Sequence, residues 1–479
     1  MLLAGSLAIT CTTGPPPTVR PVAGPPLRPI VLDGTFDDWN VSQSTLLQGT
    51  ADEQFIYLLL ALPGGPVNLQ GLDAPGVMML NLDDDSATGG RNLAVPGADL
   101  EIVFSPKVGR RSGGAQIRFP GRGDTWVSPD IADLVFAPTT AHNRFEIRLP
   151  RTLQTPDGSL QVGNTIRWAL AGSLGSSQGS CDSGPARPSP KRAMDAVPHC
   201  PTGATRVVSW NVEFGGILDH PEPFVRIVRA LKPHVVLLQE LEPGQSASDI
   251  EAVLNRGVPG DWTVDLGPVG GTLRTAVATR LRGVDMPVID GLKRIDSPKR
   301  GVRAAGVRVM VPGAGEVAML SLHLKCCGVA EGPEDMTRIA EVLAVRRALA
   351  AANATRGLDG VLIGGDLNLV GSRIPLELLI EDGEADLGGQ GNLVIVDPIR
   401  PSGGGFQTWE KDGQRYTPGR LDWIVLSGST LQTVNAFIFA TEELPASVLE
   451  LHGLNADDAA RAADHLPVVV DISPRQTLK

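Results

Sequence analysis

Gly360-Val361-Leu362-Ile363-Gly364-Gly365-Asp366-Leu367-Asn368 reads as a strand that ends on two polar side chains. Its apolar run does not alternate, as expected for a strand covered on both faces. With period-2 geometry Asp366 and Asn368 point to the same side. A carboxylate accepts a proton from water, and a carboxamide donates a hydrogen bond to an oxyanion. Taken alone, the pair is equally a turn, because Asp and Asn bond readily to nearby backbone. Working outward, the same pattern recurs. Asn211 follows Val207-Val208-Ser209-Trp210, Glu240 follows Val235 to Gln239, and His323 ends Val317 to Leu322. Asp422 opens Trp423 to Leu426, and Asp464-His465 precedes Val468-Val469-Val470. Any one of these is explained by a strand cap; the set points to a site at the loop-rich mouth of a sheet.

The elements around them alternate. Helical spacing from Phe224 to Leu231 stops before Pro233, and a longer helix is predicted over about 335–352, with Ile339, Val342, Leu343, Val345 and Leu349 inward. Strands are predicted at Thr275–Thr279, Gly306–Val311 and Val317–Leu324 as well. Residues 205–475 therefore read as an α/β sandwich of two packed mixed sheets with helices outside, a four-layer arrangement.

Trp210-Asn211-Val212, Leu238-Gln239-Glu240, Ser321-Leu322-His323-Leu324, Gly365-Asp366-Leu367-Asn368, Gly419-Arg420-Leu421-Asp422-Trp423 and Asp464-His465-x-Pro467-Val468 resemble, in order, the motifs of the endonuclease/exonuclease/phosphatase superfamily. The resemblance covers about 206–473. It implies a metal-dependent phosphoric ester hydrolase whose cation, Mg²⁺ or Mn²⁺, is held by Glu240, with Asn211 and Asp464 as further ligands. It implies that Asp366 activates water, that Asn368 holds a phosphoryl oxygen, and that His465, paired with Asp422, donates to the phosphate. His323 is expected at the phosphate or leaving group. Glu213 is expected behind the metal ligands, and Arg420 either braces its strand or reaches phosphate.

The first part of the chain is built differently. Residues 1–28 combine an apolar start, Leu2 to Thr10, with Cys11 and a proline-rich tether. They resemble the end of a signal sequence followed by a lipoprotein cysteine, and imply an exported protein, periplasmic, secreted or anchored at the outer surface through Cys11. Residues 29–175 hold short apolar runs between turns, the pattern of an all-β sandwich. Leu32-Asp33-Gly34-x-x-Asp37-Asp38-Trp39, Asp83-Asp84-Asp85 and Gly97-Ala98-Asp99-Leu100-Glu101 resemble family 9-type carbohydrate-binding modules and DOMON-like domains. That resemblance implies a glycan partner, with Trp39 and Trp126 as stacking candidates, and a structural Ca²⁺ at Asp83 and Asp85. Residues 176–204 are rich in Ser, Pro and Gly and read as a linker, in which Cys181 and Cys200 are close enough in sequence to pair or to stay free.

With 53 Asp and Glu against 42 Lys and Arg, the net charge is −11. That weakens tight binding to a long polyanion, which requires cationic neutralisation of phosphates. It leaves phosphoester hydrolysis open, since a bound cation supplies local positive charge. Nucleic acid, a phospholipid head group and a nucleotide all remain substrates of the expected class. Lys293, Arg294, Lys299, Arg300 and Arg303 form a basic cluster, either solvated or steering phosphate. The adjacent Cys326 and Cys327 are compatible with a vicinal disulfide or two thiols. The rival reading is a surface glycan-binding or adhesion protein whose hydrolase-like domain is inert.

Overall fold

A computed structural model of the chain describes residues 27–39, 45–91, 93–108, 111–123, 125–268, 272–381 and 393–475. The apolar start, Cys11 and nearly all of the tether lie outside the described residues.

The N-terminal region is a β-sandwich. One antiparallel sheet has the spatial order Leu47–Ala51, Phe55–Ala61, Arg144–Pro150, Val135–Ala137. The other has the order Ser177–Asp182, Thr165–Gly172, Gly76–Asn81, Leu100–Phe104, Ala115–Arg118. Alternation sets the inner face: Ile56, Leu58 and Leu60 of one sheet meet Met78, Leu80 and Ile102 of the other in a shared core.

Several expectations change here. The strand Ser177–Asp182 falls inside the segment read as a linker; it is a largely exposed edge strand held by backbone pairing to Thr165–Gly172, which leaves no trace in hydrophobic periodicity. Further along, Arg187 is buried and donates to Thr50 Oγ1 and to the carbonyls of Arg28 and Asp38. Met194 packs into the core of the C-terminal domain. Cys181 and Cys200 are unbridged, one fixed in the edge strand and the other beside the Ala204 carbonyl. Trp39 is unavailable for stacking on a sugar, because it is buried with its Nε1–H donating to Glu146 at 2.9 Å. Trp126 is exposed and carries the Arg118 guanidinium over its ring. Asp83 and Asp85 accept hydrogen bonds from their own turn, Asp83 from the Asp85 N–H and the Thr88 hydroxyl, Asp85 from the Ala87 N–H.

The C-terminal region has four layers. One six-stranded sheet has the order Thr263–Leu266, Arg274–Thr279, Val235–Leu241, Thr205–Asn211, Val468–Pro474, Leu431–Ile438. The second has the order Gly283–Asp285, Ala304–Val311, Gly315–His323, Gly360–Asp366, Asp422–Ser427, Leu393–Ile395. Each contains one parallel pair, Thr205–Asn211 with Val235–Leu241 and Gly315–His323 with Gly360–Asp366, and is otherwise antiparallel. Val207, Leu237, Met319, Leu362 and Val470 fill the space between the sheets. The helices Pro221–Leu231 and Ala247–Gly257 cover the first sheet, and Pro333–Arg356 covers the second.

That last helix is longer than predicted at both ends, since proline suits its first turn. Its buried face runs through Ala340, Ala344 and Ala348 beside Val342, Val345 and Leu349, while Ile339 and Leu343 are half-exposed. Alanine carries too little apolar surface to mark the face in a hydropathy pattern.

Candidate active site

The register of the second sheet assembles half of the site. His323 pairs with Asp366 across parallel strands, and Asp366 pairs with Asp422 across antiparallel ones. Three polar residues thus form one row across adjacent strands, where paired side chains share a face. The first sheet supplies the opposite side. Asn211 ends its strand beside Gln239, and the following Glu240 lies in a register shift between Leu238 and Leu241 with φ +61°. Such a bulge re-aims a side chain out of the ladder, here toward the row on the other sheet.

The Gly360–Asp366 strand stops one residue after Gly365, so Asp366 and Asn368 do not share an extended segment. Asn368 sits in a left-handed turn with φ +49°. That turn folds its amide back, and Nδ2 donates to Asp366 Oδ2 at 3.0 Å while the backbone N–H donates to Oδ1 at 2.8 Å. The second amide hydrogen is directed at the Leu324 carbonyl. Asn368 therefore orients Asp366 in this structure, and both of the hydrogens it was expected to offer a phosphoryl oxygen are engaged. Asp366 itself is only 2% exposed.

Glu240, His323 and Asp366 converge, with His323 Nε2 3.6 Å from both Glu240 Oε1 and Asp366 Oδ2. Asn211 turns its amide nitrogen to Asp366 at 3.1 Å and its oxygen to the Glu213 N–H. His465 Nδ1 lies 2.8 Å from Asp422 Oδ2, and its Nε2 lies 3.8 Å from Asp366. Trp210 Nε1–H donates to the His465 carbonyl, so the strand that carries Asn211 also pins the histidine.

Electrostatics follow from this packing. Burial, reinforced by Asp422 and Glu240 and opposed by His465, pushes the Asp366 carboxyl up to about 7. Burial disfavours a charged His465, but Asp422, its hydrogen bond and Asp366 outweigh it and push the imidazole up to about 10. His323 is held well below the ordinary imidazole value by burial, with Arg303 and His465 adding to the effect. A neutral imidazole is both a hydrogen-bond partner and a metal ligand.

The donor set fits a hard divalent cation. Two carboxylates face each other within reach of one point, and the ligating atoms of Glu240, His323 and Asp366 all lie within 4.8 Å of one another. His323 turns Nε2 to this point, while its Nδ1 and Asp422 Oδ1 are buried without a partner among the described residues.

Two expected ligands are placed differently. Asn211 is engaged as described, because Asp366 is the charge nearest its amide. Asp464 accepts from Trp409 Nε1 at 3.2 Å and from Lys411 at 3.4 Å, next to the converging group rather than within it. Glu213 lines the same cavity; it accepts from the Asp464 N–H and pairs with Lys411. Arg420 braces: its guanidinium stacks on Trp423 at 3.7 Å and bonds Asp397 and the Val396 carbonyl. In the basic cluster, Arg294 pairs with Asp296, and Arg303 donates to the carbonyls of His323 and Leu324. Arg303 thus buttresses the His323 strand end. Cys326 and Cys327 are free thiols, with Cys327 on the cavity wall.

Thr408, Trp409 and Lys411 were missed. Thr408 Oγ1 donates to Asp422 Oδ2 at 2.7 Å and accepts the N–H groups of Leu421 and Asp422, fixing the carboxylate that charges His465. Their one sequence marker is proximity to Gly419-Arg420-Leu421-Asp422 in a loop without periodicity. Five of the ten non-glycine residues with positive φ among the described residues line this cavity: Glu213, Phe214, Glu240, Cys327 and Asn368. Backbone strain collects where geometry is imposed for a purpose other than stability.

The Endonuclease/Exonuclease/phosphatase family matches residues 208–448. Among solved structures, the human Nocturnin catalytic domain with bound sulfate anion is 16% identical over 57% of this chain and 95% of that one, with a TM-score of 0.38. An AP endonuclease from Archaeoglobus fulgidus is 12% identical over 56% and 98%, with a TM-score of 0.35. The 3′-5′ exonuclease NExo from Neisseria meningitidis is 18% identical over 56% and 100%, also at 0.35. No curated protein matches the chain.

Proposed function

The chain belongs to the endonuclease/exonuclease/phosphatase family, and from that premise we propose that its C-terminal domain is a Mg²⁺-dependent hydrolase of phosphodiesters or phosphomonoesters. The observation that carries the reading is the carboxylate Asp366, buried against Glu240, His323 and the Asp422–His465 pair. Burial raises this carboxyl above its ordinary value before a cation binds, the direction a general base at neutral pH requires.

Glu240, with His323 and Asp366 bordering the same point, would hold the cation; Mn²⁺ is the second choice for this donor set. When bound, the cation withdraws charge from the non-bridging phosphoryl oxygens and the leaving oxygen. Asp366 takes the proton of the attacking water. Asn211 and Asn368 fix its carboxylate from two sides, so the acceptor lone pair keeps one direction. His465 stays an imidazolium through Asp422 and offers Nε2–H to the developing charge on phosphorus. Thr408 holds Asp422 in that position. Glu213 and Lys411 hold Asp464 at the rim.

The test is hydrolysis of bis-p-nitrophenyl phosphate and p-nitrophenyl phosphate by the purified chain, with Mg²⁺, with Mn²⁺ and with EDTA. Metal-dependent release of p-nitrophenol is expected from at least one ester. Silence across all of these conditions defeats the reading. Export, suggested by the composition of residues 1–28, is part of the same proposal, and fractionation of cells expressing the full chain checks it.

A further inference from the structure

The cavity over the catalytic residues has two owners. Its volume is about 420 Å³, and one wall comes from the N-terminal sandwich through Asn68, Gln70, Gly71 and Thr139. These residues sit in the connections between Ala61 and Gly76 and between Ala137 and Arg144, more than two hundred residues from the loops they touch.

Three rim loops of the catalytic domain are clamped by them. Asn68, 8% exposed, accepts the Ala330 N–H at 2.6 Å and donates to the carbonyls of Val370 and Gly371 at 2.8 and 3.1 Å, so one side chain ties two loops together. Gln70 Oε1 accepts the Thr417 N–H at 3.1 Å, and Thr139 Oγ1 donates to the Arg420 carbonyl at 3.3 Å. Backbone bonds reinforce the seam, Ala141 N–H to Gly371 O at 2.8 Å and Ala115 N–H to Arg415 O at 2.5 Å. The approach is close enough that a Cβ on Gly71 would meet Val329 Cγ1 at 2.4 Å. Buried polar groups paired this completely across an interface fix one geometry.

The walls also differ in chemistry. The catalytic floor is carboxylate, amide and imidazole. Above it stand Phe214, Tyr416, Val329, Val370 and Leu421, and Phe214 and Tyr416 are the exposed ones. Lys411 is the one lysine or arginine in the lining, and it is taken by Glu213 and Asp464. A polyanion needs several free cations along its track; among the described residues this lining adds only His465, a single charge on the floor, and no free lysine or arginine. A volume within the roughly 300–1,000 Å³ of small-molecule sites, with apolar sides and a few converging polar groups, describes a compact ligand.

We infer that the N-terminal sandwich is a fixed wall of the catalytic cleft and restricts it to compact phosphoesters with an apolar or aromatic organic group, excluding long nucleic acid. This rests on the hydrolase reading above and names its substrate class. Phe214 and Tyr416 take the organic group, while Asn68 and Gln70 hold the rim loops that present it to the floor.

The experiment compares thymidine 5′-monophosphate p-nitrophenyl ester with a long single-stranded oligonucleotide and its duplex, using the full chain and Mg²⁺. The compact ester is expected to exceed either polymer in kcat/KM per scissile bond by at least about tenfold. Asn68→Ala and Gln70→Ala should raise KM for the compact ester several-fold, with the change falling on KM rather than kcat, and narrow the ratio to the polymer. Tyr416→Ala, which leaves the rim hydrogen bonds intact, should do the same and guards against a misfolded Asn68 variant. Equal turnover of ester and polymer, or an unmoved ratio in both Gln70→Ala and Tyr416→Ala, overturns the inference while leaving the hydrolase standing. No hydrolysis of any phosphoester overturns both.

Discussion

Both halves of the molecule bury carboxylates against donors, as Asp471 is buried against Arg206 in the catalytic domain, but among the described residues only that domain also gathers acids around histidines. In the N-terminal sandwich each buried acid is met by donors. Asp52 accepts from the N–H groups of Gln54 and Phe55 and from the Tyr57 hydroxyl. Asp99 accepts from the Leu82 N–H, Glu101 pairs with Arg118, and Glu146 accepts from Trp39 and the Gly34 N–H. In the catalytic domain Glu240, Asp366 and Asp422 instead crowd toward each other, with two histidines between them. An acid answered only by donors is part of the scaffold. Acids that face acids leave a charge imbalance that only a cation or a proton resolves, and this is what makes the second group a site.

The largest expected effect tests that contrast directly. Asp366→Asn removes the proposed base and is expected to lower kcat on bis-p-nitrophenyl phosphate by about a thousandfold, within the range for general-base catalysis. Relief of acid–acid crowding is opposed by an amide nitrogen turned to the Asn211 or Asn368 donors, so the urea midpoint should change little, within about 1–2 kcal/mol of stability. A variant that keeps its activity, or that fails by unfolding, erases the distinction between the two regions.

Next in size is cation binding. If facing acids imply a cation, Mg²⁺ at a hundred times its dissociation constant stabilises the folded chain by about 2.7 kcal/mol, seen as a rise in Tm. Glu240→Gln should abolish most of that rise. An undiminished rise in the variant places the cation elsewhere.

The sequence carried the catalytic floor because its residues sit at the ends of apolar strands. Asn211, Glu240, His323, Asp366 and Asp422 all follow or open continuous apolar runs bounded by turn residues, which declare buried strands. Where a loop, an edge strand or another domain supplies the residue, the pattern says nothing. Thr408 and Lys411 lie in a loop without period. The strand Ser177–Asp182 is a largely exposed edge held chiefly by backbone pairing. Asn68 reaches the rim from 302 residues away, a distance that no local pattern spans. Even within the floor the details were tertiary: Asn368 lies past its strand, and Asn211 turned its amide to the nearest carboxylate.

A third prediction sharpens the contrast by pH. His465 keeps its proton to about 10 because Asp422 and Asp366 outweigh burial. With Asp422→Asn the strongest of those partners is gone and burial favours the neutral ring, so the imidazole loses its proton at lower pH. The alkaline limb of kcat/KM should therefore move downward, and activity at pH 8 should fall by about a hundredfold. An alkaline limb that stays in place would show that His465 does not act as the cation.

The smallest effect belongs to the scaffold acids. Asp52→Asn keeps size and one acceptor oxygen but presents an amide nitrogen to groups that donate, the N–H of Gln54 and Phe55 or the Tyr57 hydroxyl. The amide oxygen keeps the two N–H groups and the Tyr57 hydroxyl turns to accept from the amide nitrogen, so charge-assisted bonds become neutral ones in a residue that is 1% exposed. The expected cost is about 1–2 kcal/mol of stability, read as a lower urea midpoint. Activity per folded molecule should not change, since Asp52 lies apart from the residues that wall the cleft. Loss of turnover without loss of stability would mean that donors around an acid do not mark it as scaffold, and the rule that separates the two halves would fail at its simplest case.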